Sequence, residues 1–293
     1  MAMLILAACS PTAQTTGDAT PPEPVAETKS EALRVVAWNI EWFPGRSPRA
    51  NQTEEREHRA AIEAFLPTLN ADILLLQEIR DREAAEFLAK AAGLELHVAS
   101  NLTRPDTDIS QQLVIASRLP AIAGFAEVFT DIYEEPDTVP YRGFAFAALE
   151  NPKGGTLLVY SVHLKSNRGD ASYNIPTREE SARQVLKHVN EMKEQFKDRG
   201  PLAVIVGGDF NVLLNQEAMA HEKTLEIFKE AGFHWGWEGV PFEQRATWPG
   251  RGPYGAASFD HMFTWGLPEY TLRMKTLPSN RLSDHLPIIL DME

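Results

Sequence analysis

The sequence predicts one α+β domain in which two β-sheets pack face to face with helices outside them. Three observations predict it. From Leu33 onward, short apolar runs alternate with amphipathic stretches of helical period. Runs such as Asp72–Gln77 and Leu202–Val206 are apolar at nearly every position, the pattern of strands covered on both faces. No second linker-like stretch interrupts residues 33–293.

Leu33–Ile40 reads as the first strand. Thr53–Leu69 reads as a helix with Thr53 as its N-cap and Arg56 and Arg59 on its outer face. Asp72–Gln77 is a buried strand, and Arg82–Ala92 is a helix closed by Gly93. Leu94–Ser100, Gln111–Ser117 and Arg142–Glu150 follow as strands. A turn at Asn151-Pro152-Lys153-Gly154-Gly155 leads into Thr156–His163 as a hairpin. The long helix runs from Thr177 to about Lys197 and stops at Asp198-Arg199-Gly200-Pro201. Leu202–Val206 enters Gly207-Gly208-Asp209 directly, and a helix near Glu222–Ala231 ends at Gly232. Strands at Ala246–Trp248, Ser258–Phe263, Tyr270–Lys275 and Leu286–Asp291 complete the chain.

The bulk composition sets limits. The chain of 293 residues is 43% hydrophobic and 24% charged, ordinary for a globular protein able to bury a core without disulfides. Its formal charge of −13 denies it the broad basic footprint of a non-specific nucleic-acid binder. A divalent cation and a local basic rim could offset that field at a cleft. The single cysteine, Cys9, excludes an intrachain disulfide. It follows the apolar run Met1–Ala8, and Leu6-Ala7-Ala8-Cys9 resembles a bacterial lipobox. Residues 1–9 are therefore expected to be a signal segment ending at a lipid-modified Cys9, and residues 10–32, rich in Pro, Thr, Ala and Glu, a disordered tether. This implies a lipid-anchored protein of the bacterial cell envelope, or a secreted one if the anchor is cleaved. Nothing in the sequence indicates an oligomer.

Six stretches set polar residues within or beside apolar strands: Trp38-Asn39-Ile40-Glu41, Leu76-Gln77-Glu78-Ile79, Ser161-Val162-His163-Leu164, Gly207-Gly208-Asp209-Phe210-Asn211, Phe259-Asp260-His261 and Ser283-Asp284-His285. A buried carboxylate, amide or imidazole costs several kcal/mol unless it is paired or bound to a cation. So many in one chain are expected to share one cation and one anionic substrate. Residues i and i+2 share a strand face, so Asn39 and Glu41 are expected to point the same way, as are Asp209 and Asn211 if the chain stays extended. Glu78 is the first choice for a hard-cation ligand. Asp260 is placed to fix the tautomer of His285, whereas His261 should face away as a structural residue.

These motifs, in this order from about Leu33 to Met292, resemble the endonuclease/exonuclease/phosphatase superfamily of DNase I-like nucleases, inositol-polyphosphate phosphatases and bacterial sphingomyelinases. The resemblance implies a four-layer α-β-β-α sandwich of two packed mixed β-sheets with outer helices. It implies Mg²⁺, with Mn²⁺ or Ca²⁺ as alternatives, held near Glu78 with Asn39, Glu41 and Asp284. It further implies that Asp209 activates water, that Asn211 holds the phosphate, and that His163 and the Asp260–His285 pair meet its charge. Arg142 matches a phosphate-contacting arginine of some members. Lys165 and Arg168, just past His163, add a local basic rim, with Arg104 a further contributor.

The reaction so implied is phosphoester hydrolysis, read first as a phosphodiesterase or nuclease acting on DNA or RNA outside the cytoplasm. The alternative is a phosphatase or phospholipase C-type enzyme on lipid headgroups or small phosphoesters, with the aromatics around Trp235, Trp237, Phe242, Trp248 and Tyr254 as a lip. A non-catalytic surface binding module is the remaining reading.

Overall fold

Two six-stranded sheets face each other across an apolar core, and helices cover their outer faces. The computed structural model describes residues 32–103, 110–131, 142–213, 221–279 and 281–293. The signal segment, Cys9, the tether up to residue 31, and Arg104 lie outside the described residues.

The first sheet contains β1 (Leu33–Phe43), β2 (Ile73–Ile79), β3 (Glu95–Ala99), β4 (Gln112–Ser117), β11 (Leu272–Thr276) and β12 (Ile288–Met292), in the order β11-β12-β1-β2-β4-β3. The second contains β5 (Ala121–Val128), β6 (Gly143–Glu150), β7 (Thr156–His163), β8 (Leu202–Asp209), β9 (His234–Trp235) and β10 (Asp260–Trp265), in the order β5-β6-β7-β8-β10-β9. Both are mixed, with β1 parallel to β2 and β7 parallel to β8. Helices α1 (Gln52–Phe65) and α2 (Arg82–Ala91) pack on the outer face of the first sheet, through Ile62, Leu88, Val36, Trp38 and Leu74. Helices α3 (Ala171–Phe196) and α4 (Thr224–Glu230) cover the second, through Val185, Val189, Phe228, Tyr160 and Val206. A short helix, α5, spans Phe242–Arg245.

Strand alternation positions the site. Val35 and Ala37 of β1, Ile73 and Leu75 of β2, Leu157 and Val159 of β7, and Ala203 and Ile205 of β8 fill the space between the sheets. Two residues further along the same faces come Asn39, Gln77, Ser161, Gly207 and then His163 and Asp209. The inter-sheet layer therefore changes from apolar to polar at one end. Gly207 allows close approach there, since a Cβ on it would lie 3.0 Å from Leu75.

Several local expectations are corrected. The N-cap of α1 is Asn51, whose Oδ1 accepts from Thr53 N and Glu54 N while Glu54 accepts from Asn51 N. This reciprocal capping box displaces Thr53 from the role. The helix ends at Phe65, and Leu66–Leu69, holding Pro67, is a 3-10 turn. Helix α3 begins six residues before Thr177, capped by Asp170, and it continues through Pro176, which has no N–H to donate to the preceding turn. Strand β5 escapes sequence reading because Ile122, Phe125 and Val128 are spread among Ala, Gly and Glu in a largely exposed run at a sheet edge, which leaves no alternating apolar face. Ala246–Trp248 forms only the isolated bridge Trp248↔Ala257, since Pro249 and Gly250 break it.

Candidate active site

The polar ends of β1, β2, β7 and β8, the start of β10, and the loop before β12 meet in one cluster. Asn39 is its hub. Its Nδ2 donates to Glu78 Oε1 at 3.2 Å and to Asp209 Oδ2 at 3.0 Å, while its Oδ1 accepts from Glu41 N at 3.0 Å. The Asn39 amide thus bridges carboxylates from two sheets and is committed as a positioning group.

Three of the expected residues depart from extended backbone. Glu41, Glu78 and Asn211 have φ of 43°, 64° and 56°, and Trp42 has 50°. Such conformations cost about 1–3 kcal/mol each for non-glycine residues and concentrate at functional sites. The alternation expected for Asn39/Glu41 and Asp209/Asn211 is therefore broken. Instead the chain turns back on itself at each point. Asp209 Oδ1 accepts from Asn211 N at 2.9 Å, and Asn211 Nδ2 donates to Leu164 O at 3.3 Å. Glu78 Oε2 accepts from Trp42 N at 2.9 Å.

The histidines complete the cluster. His163 Nε2 lies 3.4 Å from Asp209 Oδ2 and 3.8 Å from Glu78 Oε1. His285 Nδ1 bonds Asp260 Oδ2 at 2.8 Å, and its Nε2 lies 3.9 Å from Asp209 Oδ2. Asp260 itself is held by Thr247, whose Oγ1 accepts from Asp260 N at 3.1 Å. Ser283 Oγ donates to Asn39 O and accepts from His285 N, tying the last loop to β1. His261 points to the opposite face, against Phe210 and Trp235, and burial pushes it down to about 3.

Burial and charge separate the protonation states. Burial pushes Asp209 up to about 7, with Asp260 and Glu78 adding repulsion and His285 and Asn39 opposing it. Burial opposes a charge on His285, but the carboxylates of Asp260, Asp209 and Asp284 hold it well above the usual imidazole range. Burial, reinforced by Arg142 and His285, keeps His163 well below that range. A basic carboxylate beside an imidazolium, with a neutral imidazole opposite, is a set suited to acid–base chemistry.

The donor set fits a hard cation. Burial raises Glu78, and Asp284 repels it. Burial and Asp284 likewise raise Glu41, against the pull of Arg46. Glu41, Glu78 and Asp284 thus crowd negative charge, and Glu41 is paired with the Arg46 guanidinium at 2.5 Å. Oxygen-only ligands of this kind suit Mg²⁺ or Mn²⁺. Asp209, Asp260 and His285 also offer ligand atoms within 4.8 Å of one another. There, however, Nδ1 of the imidazole is spent on Asp260, so the trio reads better as a proton relay.

Arg142 is buried, donates to Gln111 Oε1 at 2.5 Å, and lies close enough to act electrostatically on Glu78 and His163. Lys165 and Arg168 are placed differently. Lys165 Nζ donates to the carbonyls of Ser166 and Arg168, and burial with neighbouring arginines pushes it down to about 8. Arg168 is exposed. These two therefore shape the loop after His163 and are not gathered into the cluster. Sequence reading missed Arg46, Thr247 and Ser283. Only Ser283 stood within a motif; the others act across loops no local pattern connects.

The model of the Endonuclease/Exonuclease/phosphatase family matches residues 36–285. No curated protein gives a significant sequence match. Among solved structures, truncated Caenorhabditis elegans TDP2 is similar with a TM-score of 0.64 and 19% identity, over 89% of this chain and 97% of that one. SmcL gives a TM-score of 0.67 at 14% identity, over 89% and 99%. Mannosyl-6-phosphatase Bt3783 of Bacteroides thetaiotaomicron VPI-5482 gives 0.62 at 17%, over 89% and 99%. Identities this low speak to the shared fold. The family match encloses every residue of the cluster from Asn39 to His285, and on this basis the chain belongs to the endonuclease/exonuclease/phosphatase family of phosphoester hydrolases.

Proposed function

We propose that this protein is a divalent-cation-dependent phosphodiesterase that cleaves nucleic-acid phosphodiesters by attack of an activated water. The observation that carries the reading is the Asp260–His285–Asp209 chain, with 2.8 Å and 3.9 Å between successive partners, set beside Glu78 and Asn39. Glu78 and Asp284 would hold the cation, which would supply Lewis-acid polarisation of a phosphoryl oxygen.

The protein's own groups do the rest. Asp209, raised to about 7, is basic enough to take a proton from water and is oriented by the Asn39 amide and the Asn211 N–H. His285, kept protonated by Asp260, donates a hydrogen bond to a phosphoryl oxygen as charge develops. Neutral His163 and the Asn211 side chain flank the same position, and Arg142 adds positive charge behind it. General acid–base groups of this kind contribute about 10²–10⁴-fold each.

A second reading, hydrolysis of small phosphoesters or lipid headgroups, is favoured by the formal charge of −13 and by the phosphatase among the structural neighbours. The test is a panel of plasmid DNA, single-stranded DNA, bis-p-nitrophenyl phosphate, p-nitrophenyl phosphate and sphingomyelin vesicles, with Mg²⁺ or EDTA. Cleavage of the nucleic acids and the diester that Asp209→Asn abolishes supports the proposal. Turnover confined to the monoester or the lipid overturns it. We also propose lipid attachment at Cys9, placing the enzyme in the cell envelope; failure of the full chain to incorporate labelled palmitate in a bacterial host would refute that placement.

A further inference from the structure

Beside Asp284 lies a cleft of about 410 Å³ lined by Glu41, Arg46, Trp248, Pro249, Arg251 and Asp284. That volume suits a ligand of small-molecule size, roughly 300–1,000 Å³. One wall is the segment Trp248–Ala257, a short hairpin closed by reciprocal backbone bonds Trp248–Ala257 and Arg251–Tyr254. Its turn depends on Gly250, at φ +93°, where a Cβ would meet Tyr254 O at 2.6 Å.

The hairpin is rooted in the catalytic cluster. Thr247 O accepts from Leu286 N at 2.7 Å, next to His285, and Thr247 Oγ1 accepts from Asp260 N. Ring contacts run from Trp248 to Phe259 (5.8 Å between centroids) and from Phe259 to His285 (6.0 Å). The cleft is thus a continuation of the site.

Its charges are unequal in availability. Arg46 is committed, donating to Glu41 and to Arg281 O. Arg251 is exposed, and among the described residues its guanidinium has no hydrogen-bond or salt-bridge partner. Trp248 is half-buried and lines the cleft. An indole wall with a free guanidinium at its rim binds a flat ring and an anion together.

We infer that this cleft is a subsite for the nucleotide adjoining the scissile phosphate, with its base against Trp248 and its far phosphate on Arg251. The substrate so selected is a single-stranded oligonucleotide or nucleoside bisphosphate end, since a paired base could not lie on the indole. This deepens the phosphodiesterase reading and rests on it.

Two chromogenic esters test the inference with the full chain and Mg²⁺: thymidine 5′-(p-nitrophenyl phosphate) with and without a 3′-phosphate. The expected result is a preference in kcat/KM of about tenfold or more for the 3′-phosphorylated ester, reduced to below about threefold in Arg251→Ala. A binding arm uses calorimetry on Asp209→Asn, comparing thymidine 3′,5′-bisphosphate with thymidine 5′-phosphate. The bisphosphate is expected to bind more tightly by the same factor, with Arg251→Ala equalising the two and Trp248→Ala weakening both. Equal binding of the two probes, no binding of either, or a preference that survives Arg251→Ala overturns the subsite. Absence of turnover of both esters, with the binding preference intact, overturns the phosphodiesterase reading and leaves the subsite supported.

Discussion

Replacing Asp260 by Asn isolates the element on which the proton chemistry rests. The carboxylate is fully buried and holds His285 Nδ1 at 2.8 Å, and the His285 side chain is itself only 8% exposed. Removing one partner of a buried, hydrogen-bonded charge pair costs about 3–5 kcal/mol. Burial then opposes the charge on His285 without the Asp260 carboxylate to offset it, so the raised pKa of the imidazole falls. The amide can also donate to Nδ1 and select the wrong tautomer. The expected loss in kcat at neutral pH is about 10²–10⁴-fold. Because His285 acts protonated, the basic limb of the kcat/KM profile moves to lower pH. The assay is a pH–rate profile on bis-p-nitrophenyl phosphate with saturating Mg²⁺, alongside a melting curve. A variant that melts with the wild type, keeps kcat within about threefold and keeps its basic limb in place would refute the argument.

Asp209, raised from 3.8 to about 7, holds a proton in the folded state that the unfolded chain releases, so its contribution to stability is full below about pH 4 and is lost as pH rises toward 7. A cation held by Glu78 and Asp284 would offset the repulsion that opposes ionisation of these carboxylates, so Mg²⁺ should raise Tm more at pH 8 than at pH 5; equal shifts at the two pH values would count against a carboxylate-bound ion. The Arg178–Glu222 pair, two bonds of 2.7 Å with both side chains buried, also anchors Lys165 O. Arg178→Met alone should cost about 3–5 kcal/mol in denaturant unfolding, and Arg178→Met with Glu222→Leu should recover most of it. A double variant no more stable than the single one would show that the pair contributes more than mutual compensation.

The strands that carry the site were legible because burial between sheet and helix demands apolar residues at successive positions, and that demand is local. The same locality made the polar interruptions at Asn39, Glu78, His163, Asp209, Asp260 and His285 conspicuous. Capping was legible in kind but not in position, since Asn51 and Thr53 are both plausible caps until the Glu54 side chain closes on one of them. Edge strand β5 and the Trp248–Ala257 hairpin were not legible. Neither buries a patterned face, so neither leaves periodicity in the residues.

The sequence by itself determined the fold class and which chemical groups are present, because strand alternation and the cost of unpaired buried polar groups are written residue by residue. Only the tertiary structure decided how those groups face one another. The left-handed turns at Glu41, Glu78 and Asn211, the Asn39 bridge between the sheets, the capture of Lys165 by loop carbonyls and the freedom of Arg251 all depend on contacts between distant segments. Convergence of six chain segments on one point is set by the register of two sheets against each other, a long-range quantity that no window of sequence contains.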